Sequence, residues 1–490
     1  MAPPGNQAET EKTNRFLRME WKPWERLETK AGFREGGQEG GCAMIDRMQL
    51  KNEQFRQCWN PAKQGTETLE EKWNWVEASV WTERMLAALE NGVRGGKWYS
   101  LFDKVCAQVT LQRAWQKVAA NRGAAGVDKI SVERFRANAA GYLHELEVSL
   151  KKGVYQPLPV RRVYIPKGRG QVRPLGIPAV KERIVQTALK MVLEPIFENE
   201  FLDMSYGFRP GKGCKDALRE VDRLIKTGHV FVVDADLKSY FDSIPHSRLL
   251  KQISEKVSDG QVLKLVDQFL NQDILDGLKC WKPTSGTPQG AVASPLLANI
   301  YLHPLDMLIT CSGYRMVRYA DDFVILCKTQ EEADNALSLV TEWTQKSGLT
   351  LHPEKTHVGN CLEKGEGFDF LGYRFESGKR FVRAKSLKAL KDKIRHRTKR
   401  TRGHSLKGII EDINPTLRGW FEYFKHAHHY VFSSLDGFIR RRLRAILRKQ
   451  EKRPGRGICF EDHRRWPNSF FAKRGLFTMV KAHAEACRSR

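Results

Sequence analysis

The stretch Arg318-Tyr-Ala-Asp-Asp-Phe-Val-Ile-Leu326 sets two adjacent carboxylates, Asp321 and Asp322, ahead of a β-rich apolar run. Just before it, Tyr314-Arg-Met-Val-Arg-Tyr319 also reads as strand, so the pattern predicts a tight hairpin with both acids at its tip. Two like charges side by side repel, and the pair is costly unless water or a cation neutralises it. A third carboxylate, Asp236, stands 85 positions earlier in Val230-Phe-Val-Val-Asp-Ala-Asp-Leu-Lys-Ser-Tyr-Phe-Asp242. If these strands lie side by side, Asp236 and Asp321 can hold two divalent ions between them, the equipment of nucleotide polymerisation. Strand alternation would point Asp322 away from Asp321.

Working outward, a chain of 490 residues suggests about three domains, and 41% hydrophobic content is enough for real cores. The net charge of +26 is unevenly placed. Residues 377–490 hold 31 Lys and Arg against 9 Asp and Glu, whereas the first 376 hold 52 against 48. Nearly all the excess sits in the last quarter, as a phosphate-backbone-binding region would require. That quarter keeps strong apolar periodicity, which argues against a disordered tail. The ten cysteines are scattered without a Cys-x-x-Cys pair, which excludes a zinc ribbon or finger and fits reduced, core-filling thiols such as Cys327. There is no signal peptide and no apolar run long enough to span a bilayer, so a soluble intracellular protein is expected.

Residues 1–65 are polar and Gly-rich and read as a flexible extension. A helical pattern begins near Glu67 with Trp73, Val76, Val80, Trp81, Met85, Leu86 and Leu89, and ends at Asn91-Gly92. Further helices are predicted over 97–155. Between about 160 and 375 strands and helices alternate, as in an α+β domain. Strands are predicted at 160–166, 229–236, 314–319, 323–327 and 380–383, and helices at 179–199, 214–226, 246–257, 260–271, 294–309 and 330–347. Beyond 384 the pattern is helical. Leu435, Phe438, Ile439, Leu443, Ile446 and Leu447 form one stripe, and Arg440, Arg441, Arg442, Arg444, Arg448 and Lys449 crowd the rest, which suits a nucleic-acid groove.

Four blocks now occur in order: Val230–Ile244, Gly286-Thr-Pro-Gln-Gly-Ala-Val-Ala-Ser-Pro-Leu-Leu-Ala-Asn-Ile-Tyr301, Tyr319–Asp322 and Phe368-Asp-Phe-Leu-Gly-Tyr373. Together they closely resemble bacterial group II intron-encoded reverse transcriptases, or maturases, from about residue 70 onward. The resemblance implies a right-hand polymerase fold of fingers, palm and thumb, with a helical N-terminal extension and a mostly helical basic thumb. The expected boundaries are 1–65 for the extension, 66–100 for a helical N-terminal segment and 101–375 for fingers and palm. The thumb, or maturase X domain, would take 376–450, and a basic tail 451–490 would complete it or add a small DNA-binding piece. Asn414-Pro-Thr-Leu-Arg-Gly-Trp-Phe-Glu-Tyr-Phe424 looks like the X-domain signature. No metal-binding endonuclease block follows, so DNA entry would need a nick, a replication fork or a host nuclease.

The same resemblance assigns roles. Asp236, Asp321 and Asp322, aided by the backbone carbonyl of Leu237, would ligate two Mg2+ ions, with Mn2+ able to substitute; family position favours Asp236 over Asp234 and Asp242, which read as structural. Lys167 and Arg173 would clamp the incoming triphosphate, although their spacing alone describes an ordinary basic hairpin equally well. Phe241 resembles the aromatic floor that rejects a 2′-hydroxyl, and Gln289 would support the nucleotide. Lys355 matches a lysine suspected of protonating pyrophosphate, with a surface lysine as the plain alternative. Phe370, Leu371, Gly372 and Tyr373 resemble the primer grip, with core packing as the plain alternative for Phe370 and Leu371. Arg440, Arg441, Arg444, Arg448 and Lys449 would bind nucleic acid.

Gly207-Phe-Arg-Pro-Gly-Lys-Gly213 lacks a Gly-Lys-Ser/Thr ending and reads as a finger loop, not a phosphate loop. His426, His428 and His429 have no acid or cysteine at ligand spacing, so no zinc is expected there. The reading is thus an RNA-directed DNA polymerase that copies structured or intron RNA from a DNA primer with dNTPs, assists splicing, and works in the cytoplasm near the bacterial nucleoid. Two alternatives stay open: a reverse transcriptase serving DNA repair or phage defence, and an RNA-binding splicing factor without polymerase activity.

Overall fold

The computed structural model describes residues 68–488 apart from Arg169, Gly170 and Arg402; the extension 1–65, with Cys42 and Cys58, lies outside them. The expected single helix from Glu67 to Asn91 is two helices, Leu69–Lys72 and Glu83–Asn91, joined by turns. The first carries a capping box in which Thr68 and Glu71 satisfy each other's backbone N–H, so a short helix is closed off before the Trp73 ring enters the core. Trp81 is buried and its indole N–H donates to the Met191 carbonyl at 3.1 Å, which ties this segment to the helix Val180–Glu198.

Three sheets form the framework. β1 (Val160–Gly168), β2 (Gln171–Ile177), β4 (Ile274–Asp276) and β5 (Lys279–Trp281) make one, in the order β2-β1-β4-β5. β3 (Phe231–Asp236), β6 (Arg315–Tyr319), β7 (Asp322–Cys327) and β8 (His357–Asn360) make the second, in the order β6-β7-β3-β8 with antiparallel pairing throughout. β9 (Phe368–Phe370), β10 (Tyr373–Glu376) and β11 (Lys379–Val382) make the third. The short strands β4, β5, β8, β9 and β10 carry too few residues to announce themselves by alternation.

The second sheet is buried on both faces, because side chains alternate along a strand. Val233, Ala235, Phe323 and Ile325 face a core built with the helices Val180–Glu198 and Ser294–Cys311. Val232, Val324 and Leu326 face a second core shared with β9–β11 and the C-terminal helices. Asp234, Asp236 and Asp322 fall on this second face by register, since Asp234 pairs with Val324 and Asp236 with Asp322. At the C-terminus, Trp466, Phe471, Leu476 and Met479 are buried in the same core as Phe432 and Leu435, so residues 451–488 fold onto the helices before them. Cys106, Cys327 and Cys361 are buried as expected, whereas Cys280, Cys459 and Cys487 are exposed. Among the described residues no helix is long and apolar enough to cross a membrane.

Candidate active site

The β6–β7 hairpin turns at Ala320 and Asp321, with Ala320 held at φ 60°. Asp321 therefore occupies the tip itself, while Asp322 is already the first residue of β7, opposite Asp236. The alternation argument against Asp322 does not apply, because its neighbour lies in the turn and not in the strand. Tight packing sets the turn's position. A Cβ on Gly207 would come within 2.2 Å of the Ala320 nitrogen, so Gly207-Phe208 runs directly beneath the turn and only glycine fits there. This is the structural use of the segment that resembled a phosphate loop. From below, the buried Arg318 donates to the Ala320 carbonyl and to Asn299 Oδ1, both at 2.9 Å, and pairs with the equally buried Asp306.

Asp236, Asp321 and Asp322 open into a cleft of about 920 Å³ that is also lined by Leu237, Phe241, Arg173, Gln289 and Lys355. Eight of the residues singled out in the sequence are thus gathered at one place. Burial raises the carboxyls of Asp234, Asp321 and Asp322 here. Asp322 is pushed up to about 7 by desolvation and then by the charges of Asp234, Asp321 and Asp236. Asp321 is raised by desolvation and by Asp236, and Asp234 reaches about 6 through desolvation, with His357 opposing and Asp369 adding to the rise. Such mutually repelling, half-buried acids fit cation binding, which removes the repulsion. The side chains do not stand as a ready-made ligand set, however. Among the described residues no three His, Cys, Asp or Glu groups are placed to hold one ion, and Asp236 is paired with the Lys355 ammonium instead. Lys355 therefore sits at the exposed edge of the cleft with its ammonium against a carboxylate.

Phe241 is partly buried, with the Tyr240 ring 5.5 Å away and the Phe208 ring 6.4 Å away, edge-on in both cases. Phe208 itself is 45% exposed and adopts φ 61°, a strained backbone for a bulky residue that the close Gly207 packing imposes. Arg173 on β2 and Gln289 share a hydrogen bond of 2.7 Å. Lys167 belongs to β1, but its side chain lies outside the described residues.

The primer-grip residues divide. Phe370 and Tyr373 are fully buried core rings, whereas Leu371 and Gly372 form the β9–β10 turn at φ 47° and 84°. The cleft-facing residues of this hairpin are Asp369 and Arg374, joined by Arg383 and Lys385. Arg383 Nε lies 2.7 Å from Asp369 Oδ2. The sequence reading missed all four, although the apolar Phe368 and Phe370 flanking Asp369 signal its opposite orientation.

The proposed nucleic-acid helix, Tyr430–Gln450, also divides. Arg444 is 2% exposed and donates to the Trp466 carbonyl and to Asn468 Oδ1. Arg448 pairs with the buried Asp462 at 2.8 Å, and Arg440 lies 3.8 Å from the buried Asp436. Arg444 and Arg448 anchor the C-terminal helices and Arg440 is paired within its own helix, which corrects the reading of one continuous arginine surface: packing residues 460–479 against this helix consumes part of its charged face. Arg441 and Lys449 remain exposed. His428 stacks near His429 and Tyr430, at 4.5 and 4.8 Å between ring centroids.

Residues 165–375 match the family described as reverse transcriptase (RNA-dependent DNA polymerase), and residues 387–466 match the group II intron, maturase-specific domain. Protein YkfC of Escherichia coli (strain K12) is 35% identical over 290 residues, covering 51% of this chain and 75% of that protein. The group II intron-encoded protein LtrA of Lactococcus lactis subsp. cremoris is 35% identical over 257 residues. That match covers 52% of this chain but only 39% of LtrA. Among solved structures, telomerase from Candida albicans in complex with a telomeric RNA fragment aligns with 71% of this chain and 69% of its own. It does so at 14% identity and a TM-score of 0.37, a likeness too weak to bear on mechanism.

Proposed function

This chain belongs to the group II intron reverse transcriptase and maturase family, and we propose that it copies structured RNA into DNA and assists the splicing of a group II intron. The observation that carries the polymerase reading is the pairing of Asp236 with Asp322 across β3 and β7, with Asp321 on the adjoining turn and all three in one cleft. Asp236, Asp321 and Asp322, with the Leu237 carbonyl, would hold two Mg2+ ions. When bound, such ions lower the pKa of a primer 3′-hydroxyl and offset charge on the triphosphate and the departing pyrophosphate.

The protein's own groups do the positioning. Arg173 offers a planar fork of donors to the triphosphate, and Lys167 a point charge. Phe241 lies under the sugar, where a 2′-hydroxyl would collide with its ring. Lys355, next to Asp236, holds a proton that the pyrophosphate oxygen can take as it leaves. Arg374, Arg383 and Lys385 give the cleft a basic wall on the β9–β10 side, suited to the primer backbone.

By this reading, fingers and palm occupy 101–375, preceded by the helical segment 66–100. The thumb or maturase domain takes 376–450, and the tail 451–490 completes it. Structured RNA, a DNA primer and dNTPs are the partners, and the surplus of positive charge beyond residue 377 supports RNA binding. Primer extension on an RNA template with Mg2+ tests the chemistry: wild type makes cDNA and Asp321→Ala does not, and equal product from both overturns the site. Self-splicing of the parent intron at limiting Mg2+, with and without stoichiometric protein, tests the second half; no acceleration removes it.

A further inference from the structure

Gln289 is held from two sides by groups of opposite hydrogen-bonding character. Arg173 donates its Nε–H to Gln289 Oε1 at 2.7 Å, and Gln289 Nε2 donates to Asp242 Oδ2 at 3.0 Å. A guanidinium only donates and an ionised carboxylate only accepts, so the two neighbours dictate which end of the amide faces which way. The backbone fixes the spacing. The Ser285 hydroxyl donates to the Asp242 carbonyl at 3.1 Å, and the N–H groups of Gly286 and Thr287 donate to the carbonyls of Ile244 and Phe241 at 2.8 and 2.6 Å. A Cβ on Gly286, at φ 88°, would come within 2.8 Å of the Asp242 backbone, so this loop lies in direct contact with the turn carrying Asp242. On the other side, the Gly176 N–H donates to the Gln289 carbonyl at 2.6 Å and joins the loop to β2.

Asp242 is electrostatically misplaced unless it has a partner. It lines a cleft proposed to receive a triphosphate, where a free carboxylate would repel the ligand. Its charge is instead spent on Gln289, within the fields of Arg162 and Arg173. We propose that Asp242 is a positioning residue for nucleotide binding: it orients the Gln289 amide, and Gln289 in turn holds Arg173 with its two terminal nitrogens directed to the triphosphate. The relay joins β2 to the loop before the helix Ser294–Cys311, so it sets the gap that the nucleotide enters. The inference rests on Arg173 and Gln289 being nucleotide contacts, as proposed above.

Single-nucleotide incorporation on a fixed primer and RNA template tests it, with the dNTP KM and kcat measured separately for wild type, Asp242→Asn, Gln289→Ala and the double variant. Loss of one charge-assisted hydrogen bond predicts a KM about three- to tenfold higher in Asp242→Asn, with kcat within about twofold and no further rise when it is added to Gln289→Ala. Asp242→Glu, which retains the carboxylate charge, is expected to fall between wild type and Asp242→Asn; it also carries the test if the Asn variant melts early. A Gln289→Ala variant with wild-type KM would remove Gln289 from the nucleotide site, a failure of the underlying reading. A raised KM in Gln289→Ala combined with an unchanged KM in Asp242→Asn, or with effects that multiply in the double variant, would overturn the role of Asp242 alone.

Discussion

Arg318 and Asp306 form a fully buried, two-pronged ion pair beneath the turn that carries Asp321, with Nε–Oδ1 and Nη2–Oδ2 separations of 2.7 and 2.5 Å. The third guanidinium nitrogen reaches up to the Ala320 carbonyl. Removing one member of such a pair strands a charge in the core. Asp306→Asn is expected to cost about 3–5 kcal/mol of folding stability, measured by denaturant melts. Replacing both residues by apolar ones of similar size should recover stability but not cDNA synthesis, because Ala320 still loses its donor. Recovery of both would show that the pair serves packing alone.

The raised carboxyls make stability depend on pH in a defined direction. Asp322 titrates near 3.8 unfolded and near 7 folded, so the native state binds the proton more tightly. Its contribution is therefore lost as pH rises from about 4 to about 7. Asp322→Asn should raise the melting temperature by about 1–3 °C at pH 8 and leave it unchanged at pH 4. Millimolar Mg2+ should stabilise wild type at pH 8 more than the variant. An equal Mg2+ response in both would remove Asp322 from the ion site.

Phe241 lines the cleft between the exposed Phe208 ring and the buried Tyr240 ring, at the edge of the core, so truncating it widens the cleft. Phe241→Ala is expected to increase ribonucleotide incorporation relative to deoxyribonucleotide by about tenfold or more, read from competing single-turnover assays. Unchanged discrimination would reduce this ring to a packing group.

The C-terminal arginines should separate into two classes. Arg441→Ala and Lys449→Ala, at exposed positions, are expected to weaken RNA binding and lower the slope of log K against log salt by about one each, without altering the melt. Arg444→Ala should instead destabilise the C-terminal helices, because the Trp466 carbonyl and Asn468 lose a buried donor. Binding and melting curves on the same preparations decide between the two.

The fold of this chain is legible in its sequence wherever a residue's role is local. The strand carrying Asp236, the hairpin at Asp321 and the helix Cys214–Lys226 follow from alternation, turn chemistry and helical spacing. What escaped depends on partners far away in sequence. Nothing near Arg318 marks it as buried until Asp306 is seen opposite, and nothing near Gly207 reveals that it supports Ala320. The arginine-rich helix misled for the same reason: Arg444 and Arg448 look solvated until residues 460–479 fold across them. Likewise Phe370 to Tyr373 resemble a primer grip, with core packing the equal alternative for Phe370; that ring and Tyr373 are buried, while the flanking Asp369 and Arg374 occupy the cleft wall.

The Tyr373 hydroxyl donates to the Tyr423 carbonyl at 2.7 Å, and the Tyr423 hydroxyl donates back to the Leu371 carbonyl at 2.8 Å. Each ring thus hooks the other's strand or helix, so the β9–β10 turn cannot slide along the helix Leu406–Phe424 without both hooks letting go. Any shift of that helix is therefore coupled to the strands whose Asp369 and Arg374 line the cleft.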